Sequence, residues 1–385
     1  MFTNKDINFE ALKRKAYNGR WATLEEGIIP LTAADPDFRM SSEIENGIIE
    51  YIKDGYLSYG PFSGIPEFKK SVAEHFNTGK NGSFTPENVL AVNSAAMGMF
   101  MVAKYVLNPG DEAIIFDPVD FLFKKTVDAV GGNIKLCAVD SKTGDIDFEM
   151  LVSLIGPKTK LISICNPHNP VGRVYSKEVL KKISEIAAAH DLWVMSDEIW
   201  SDIVYDNREF NTYSSVSEEA KKKSFTVFGF SKSFGIAGLR IGAVLCNDQD
   251  LLDDFTEKSN FNSTIEGVST LSQIAASVAI DKAKPWFNDF LTHLQHNRDL
   301  AHSMLSNSGI LTPNLPEATF VIFPKIENGM SSDAFAQHVL QQGKVAIVPG
   351  SERWFGKGAE GHIRICFSTS QEILTEGLNR LINSF

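Results

Sequence analysis

Between about residue 88 and residue 247 the chain exchanges short apolar runs with helical patterns, and this alternation limits its fold more than any other feature. NVLAVN (88–93) leads into the small-residue, Met-rich stretch AAMGMFMVAKYVL, and DEAIIFD (111–117), NIKLCAVD (133–140) and KLISICN (160–166) follow. A helical segment, SKEVLKKISEIAAAHD, precedes LWVMSDEI (192–199), SFTVFGF (224–230) and IGAVLCN (241–247). Such an order predicts an α/β fold around a mostly parallel sheet. The runs lack strict alternation, as expected of strands covered on both faces. Ligands of such sheets bind beyond the carboxyl ends of the strands. The informative polar residues fall there: Asn166 and Asn169 after one strand, Asp197 at the end of another, Ser231 and Lys232 after a third.

Past about residue 255 the pattern changes to a long helical stretch broken at Pro285, then short strands such as HIRICFS and a last helix, EILTEGLNRLINSF. This reads as a second, α+β domain. A chain of 385 residues is long enough for one large and one smaller core. The expected division is 1–46 as an N-terminal arm that joins the small domain, 47–282 as the large domain, and 283–385 as the remainder of the small domain.

Composition excludes several partners. With 37 Lys+Arg against 48 Asp+Glu, the net charge of −11 argues against nucleic acid or an anionic membrane. No apolar run approaches the ~20 residues needed to span a bilayer, and MFTNKDINFEALKRKAYNGRW lacks a signal-peptide core. Cys137, Cys165, Cys246 and Cys366 form no C-x-x-C pair and no metal-ligand spacing, so buried reduced thiols and no metal site are expected. These points predict a cytoplasmic protein.

Four segments carry chemistry. In GFSKSFGIAGLRIG (229–242), Lys232 follows a strand of the buried type, flanked by small and apolar residues, Ser231 and Arg240. A desolvated amine near a cation has a lowered pKa and attacks aldehydes. In MSDEIW (195–200), Asp197 ends an apolar strand, where a carboxylate can hold a pyridine nitrogen protonated. In ICNPHNPVGRVYS (164–176), two Asn-Pro pairs make a sharp loop, and Asn169 is the better candidate to donate to a phenolic oxygen. In NSAAMGMF (93–100), a strand enters a helix through small residues, and free N–H groups at a helix start favour phosphate.

Together these segments resemble the fold type I pyridoxal 5'-phosphate (PLP) enzymes of the class I/II aminotransferase family. NPHNPVGRVYS, SDEIWSDIVY, FSKSFGIAGLRIG and VPGSERWFGKGAEGHIRICFS stand in the family's order and spacing, from about Leu31 to the C-terminus. The resemblance implies a large domain with a mostly parallel seven-stranded sheet and a smaller α+β domain. It implies that Lys232 forms the Schiff base with PLP, Asp197 pairs with the pyridine nitrogen and Asn169 bonds the phenolic oxygen. Ala95 and Ala96 would offer N–H groups to the phosphate, with Ser231 and Arg240 completing that cup. Tyr59, in YLSYGPFSGIPEF, would reach the phosphate of a neighbouring subunit, which implies a homodimer with shared active sites. Arg364 would grip the substrate α-carboxylate as a bidentate fork, with the backbone at Ala34 beside it.

Three positions depart from the family pattern. Trp200 replaces a tyrosine that bonds the phenolic oxygen, Asp120 replaces the aromatic that stacks on the ring, with Phe121 next to it expected to stack, and Ser94 replaces a glycine before the phosphate-binding amides. AADPDF and the missing tyrosine are similar to the cystathionine β-lyase-like C–S lyases, so β-elimination is the alternative to amino transfer between an L-amino acid and a 2-oxo acid. A Rossmann dehydrogenase is disfavoured because no G-x-G-x-x-G follows the first strand. A transcription regulator built on this fold is disfavoured because no helix-turn-helix is visible ahead of residue 30. Arg39 lies near enough to Ala34 in sequence to be considered for the side-chain pocket, although a surface arginine is the expected reading.

Overall fold

In the computed structural model, which describes residues 2–261, 263 and 267–385, seven strands form the central sheet. They are β1 (Val89–Val92), β2 (Glu112–Asp117), β3 (Asn133–Ala138), β4 (Thr159–Cys165), β5 (Trp193–Asp197), β6 (Ser224–Gly229) and β7 (Gly242–Leu245). Their spatial order is β1-β7-β6-β5-β4-β2-β3. The pairs β3/β2, β2/β4, β4/β5 and β5/β6 are parallel, while β7 runs antiparallel to both β6 and β1.

Alternate side chains of these strands enter different cores. Leu90, Val92, Val227 and Val244 pack with Met99 and Val102 of the Ala95–Val106 helix on one face. Val89, Ala91, Phe228 and Ala243 face Phe68, Val72 and Phe76 of the Pro66–Gly79 helix and Ala275, Ala276 and Ala279 of the Thr270–Lys282 helix. Further along the sheet, Ile114, Ile162 and Val194 meet Leu180, Ile183 and Ala187 of the Lys177–Ala189 helix. The expectation of strands covered on both faces holds for the interior of the sheet. It is wrong for β3, an edge strand on which only Cys137 is fully buried.

The core packed on the Ala95–Val106 helix continues into the C-terminal part of the chain, where the Lys284–Ser306 and Gln371–Ile382 helices gather around the antiparallel strands Val321–Ile322, Val348–Pro349 and Ile363–Cys366. The helical stretch breaks at Ala283, two residues before Pro285, because a proline lacking its N–H is tolerated at the start of a helix and not inside one. The N-terminal arm joins this core through Ile29–Pro30, which pairs in parallel with Val345–Ala346. Among the described residues no helix is long and apolar enough to cross a membrane, and all four cysteines are free and buried.

A buried ion pair ties two points of the arm to each other. Arg20 Nη2 lies 2.7 Å from Asp37 Oδ1, and the Trp21 indole N–H donates to the same oxygen at 2.8 Å. A second Arg20 nitrogen donates to the Ala33 carbonyl at 2.9 Å. Removing one partner of such a pair leaves a dehydrated charge behind. Asp37→Ala is therefore expected to lower unfolding stability by about 3–5 kcal/mol in urea titrations, and a loss below about 1 kcal/mol would show the pair to be dispensable.

Candidate active site

Asp197, the last residue of β5, and the loop after β6 meet at the carboxyl end of the sheet, and the Ile363–Cys366 strand brings Arg364 to them. Lys232 follows β6 by three residues, and its amine donates to the Ala34 carbonyl at 2.7 Å. Its Nζ stands 5.3 Å from the centroid of the Trp200 ring. Burial lowers the pKa of this amine, and the nearby Arg364 charge lowers it further against the opposing pull of Asp35.

Ser233, the next residue, explains how the Lys232 loop is held. Its hydroxyl donates to Asp202 Oδ2 at 2.6 Å. Asp202 is also paired with buried Lys80 and, at 2.7 Å, with His75 Nε2. Burial works against ionisation of Asp202, but the Lys80 charge and the hydrogen bonds from Lys80 and His75 outweigh it and hold its carboxyl well below the usual range. The Lys80 ammonium lies over the rings of Phe76, Phe210 and Phe228. None of these residues was singled out in the sequence, where Lys80 and Asp202 stand 122 positions apart.

Asp197 is almost fully buried at the end of β5. Its carboxylate accepts the Ile199 N–H at 3.2 Å and pairs with no cation among the described residues. Burial pushes its pKa up to about 7. Trp200 is 2% exposed and packs edge-on against Phe320, so it belongs to the wall of the site.

The loop after β4 places two asparagines differently. Asn166 serves the loop itself: its N–H donates to the Asp197 carbonyl and its Oδ1 accepts from the Tyr175 N–H. Asn169 faces the site, accepting from Arg364 Nη1 at 3.3 Å and donating to Asp120 Oδ2 at 3.1 Å. Buried His168 fastens this loop to the end of β2, with Nε2 2.7 Å from the Pro118 carbonyl and Nδ1 3.1 Å from the Tyr175 hydroxyl. Burial lowers its pKa to about 4, so a neutral ring donates to Pro118 and accepts from Tyr175.

Arg364, on the Ile363–Cys366 strand, is 7% exposed. Its guanidinium carbon lies 4.9 Å from the Phe355 ring centroid, and Nη2 reaches the Thr32 carbonyl only at 3.5 Å. Nε has no partner. A buried guanidinium so weakly satisfied suits an incoming carboxylate.

Ser94 caps the Ala95–Val106 helix, its hydroxyl accepting the Met97 N–H at 3.1 Å. Gly242 of β7 permits the close approach of this helix start: a Cβ there would lie 2.8 Å from the Ala95 nitrogen and 2.9 Å from the Ser94 carbonyl carbon. Arg240 stands exposed beside it with φ 52°. Phe121 is half-buried and meets Trp354 edge-on at 5.6 Å. Tyr59 stands apart from these groups in the single chain, 93% exposed. Arg39 is turned outward and paired with Glu45, so it does not line the site.

A family model described as Aminotransferase class I and II matches residues 26–381. The chain belongs to the class I and II aminotransferase family. It is 32% identical to the putative aminotransferase YugH of Bacillus subtilis over 94% of this chain and 92% of that protein. It is 30% identical to a probable aspartate/prephenate aminotransferase of Aquifex aeolicus, covering 92% and 90% respectively. Among solved structures, PLP-containing cystalysin from Treponema denticola shares the fold with a TM-score of 0.91, at 24% identity over 100% of this chain and 98% of that one.

PLP is the cofactor of this family, and the residues present fit it. Asp197 is a buried carboxylate in want of a cation, which a protonated pyridine nitrogen supplies. The capped helix start offers N–H groups to a phosphate, and the Lys232 amine is desolvated.

In the cofactor-free protein the raised Asp197 pKa fixes the sign of a pH effect. The folded state holds a proton that the unfolded state, with its ordinary value of 3.8, releases; this stabilises the fold fully below that value and is lost as pH rises through about 7. Cofactor-free protein is expected to lose thermal stability between pH 4 and 7, and Asp197→Asn to lose distinctly less, as read by calorimetry at matched ionic strength. Equal slopes in the two proteins would contradict the assignment.

Proposed function

We propose that this chain transfers amino groups between L-amino acids and 2-oxo acids, with Lys232 as cofactor anchor and proton carrier. The observation that carries the reading is the Lys232 amine, dehydrated and held by Ala34, in one site with buried Asp197 and the unsatisfied guanidinium of Arg364. The α-carboxylate of the substrate docks on Arg364, and Asn169 holds that guanidinium in place. Ser94, Ala95, Ala96, Ser231 and Arg240 would hold the phosphate, and Asp197 would keep the pyridine nitrogen protonated. When bound, PLP supplies an electron sink for the carbanion at Cα. Lys232 Nζ would take the Cα proton and, for transamination, keep it for internal return instead of losing it to water. Its short tether makes that transfer effectively intramolecular.

Tyr59 is assigned to the phosphate of a partner subunit. Its exposure, with that of Tyr56 (77%), Leu57 (63%) and Phe62 (45%), supports this reading, because so apolar a patch calls for a cover. The four unpaired, buried cysteines support a cytoplasmic location. Sedimentation is expected to give a dimer, with Tyr59→Phe releasing cofactor more readily than wild type. A monomer with unaltered cofactor affinity would remove Tyr59 from the site.

Trp200 in the tyrosine position favours one second reading, β-elimination, which uses the same Lys232, Asp197 and Arg364 but expels a group from Cβ. Mixing the holoenzyme with an amino acid alone separates the two. Transamination is expected to convert the cofactor stoichiometrically to its pyridoxamine form. Continuous pyruvate release from cystathionine without added 2-oxo acid would instead establish the lyase. In either case Lys232→Ala is expected to abolish the Schiff-base absorption and cut kcat/KM by more than about 10³-fold, as general acid–base catalysis contributes about 10²–10⁴.

A further inference from the structure

Two carboxylates lie near Lys232 and Arg364 and form no ion pair among the described residues. Asp120 stands where the family carries an aromatic residue. Its Oδ1 caps the Phe121–Ala129 helix through the Leu122 N–H at 3.1 Å, and its Oδ2 accepts from Asn169 at 3.1 Å. It is therefore one asparagine away from Arg364, and its charge acts on both Arg364 and Lys232. Asp35 adjoins Ala34, whose carbonyl receives the Lys232 N–H. Its half-buried carboxylate accepts no hydrogen bond and makes no ion pair among the described residues. Of the charged side chains, it acts most strongly on Lys232.

The cations of the region are committed elsewhere. Arg364 awaits the α-carboxylate and Lys232 carries the chemistry. Arg20 is taken by Asp37, and Arg39, its side chain 75% exposed, by Glu45. Arg353 and Lys125 are exposed and set on the faces of Trp354 and Phe121.

We infer that the site selects against amino acids with an anionic side chain and takes those whose side chain is neutral or donates hydrogen bonds, with Asp35 and Asp120 as the discriminating residues. This rests on the amino-acid reading of the site given above. A side-chain carboxylate would be held beside two like charges in a partly dehydrated pocket, where repulsion is several times stronger than in water. An amide of the same shape escapes that repulsion and can donate to Asp35.

The test uses isosteric pairs on the holoenzyme. Asparagine is expected to exceed aspartate in kcat/KM for the amino-acid half-reaction by about tenfold or more, and glutamine to exceed glutamate likewise, since like-charge juxtaposition costs at least that factor. Spectral titration supplies a readout without turnover: succinate is expected to bind more weakly than propionate. Asp35→Asn is expected to narrow both ratios, and Asp120→Asn, which keeps a side-chain oxygen as helix cap, to narrow them as well. Preference for aspartate, tighter binding of succinate, or ratios unchanged in both variants would overturn the inference. If no amino acid supports the half-reaction, the functional reading fails, while the succinate–propionate comparison still decides the charge claim.

Discussion

The site depends on keeping a primary amine out of water. Lys232 is useful only if its amine is uncharged and aimed, and each condition has its own structural source. Dehydration comes from the meeting of the large domain with the N-terminal arm, which places the Ala34 carbonyl 2.7 Å from Nζ and the Trp200 ring beneath it. Aim comes from behind the loop, where Ser233 is tied to Asp202 and through it to buried Lys80. The Arg20–Asp37 pair braces the arm internally around Ala33 and Ala34, so a contact outside the site shapes the segment that meets Lys232.

Every anion expected of the ligands meets a matched partner. The capped helix start at Ser94 suits a phosphate, and the unsatisfied guanidinium of Arg364 suits a carboxylate. Asp197 has the opposite need and lacks a positive charge. These unsatisfied groups describe the ligand as a mould describes a cast, with two negative ends and a protonated ring nitrogen. Asp120 and Asp35 extend the same logic under the inference drawn above, in which the protein offers negative charge to the substrate side chain.

Much of this was legible in the sequence. The runs at 88–93, 111–117, 160–166, 192–199 and 224–230 became strands because each is a short block of β-branched and other apolar residues bounded by turn formers. The run at 133–140 misled about burial, since periodicity reports which residues avoid water and not which strand closes the sheet. Lys232, Asp197, Asn169 and Arg364 were visible as polar residues just past strands or within an apolar one. Lys80, His75, Asp202 and Ser233 were not, because each looks unremarkable alone and only the fold joins them. Asp120 was noticed as a missing aromatic, whereas the structure shows what its carboxylate does instead, bonding Asn169 beside Arg364.

The sequence by itself determined the local decisions: where strands and helices begin, which strand ends carry chemistry, and the identity of the lysine, aspartate and arginine. The element boundaries follow from apolar spacing and turn chemistry, which act over a few residues, and the lysine, aspartate and arginine from the ordered motifs that resemble the family. Only the tertiary structure decided that β7 runs antiparallel beside β6, that Asn166 serves the loop while Asn169 serves the site, and that Lys232, Asp197, Asp120, Asp35 and Arg364 share one electrostatic environment. The physical reason is that burial and Coulomb interaction depend on distance in space. Asp35, Lys232 and Arg364 lie between 132 and 329 positions apart along the chain, and no local pattern encodes that they meet.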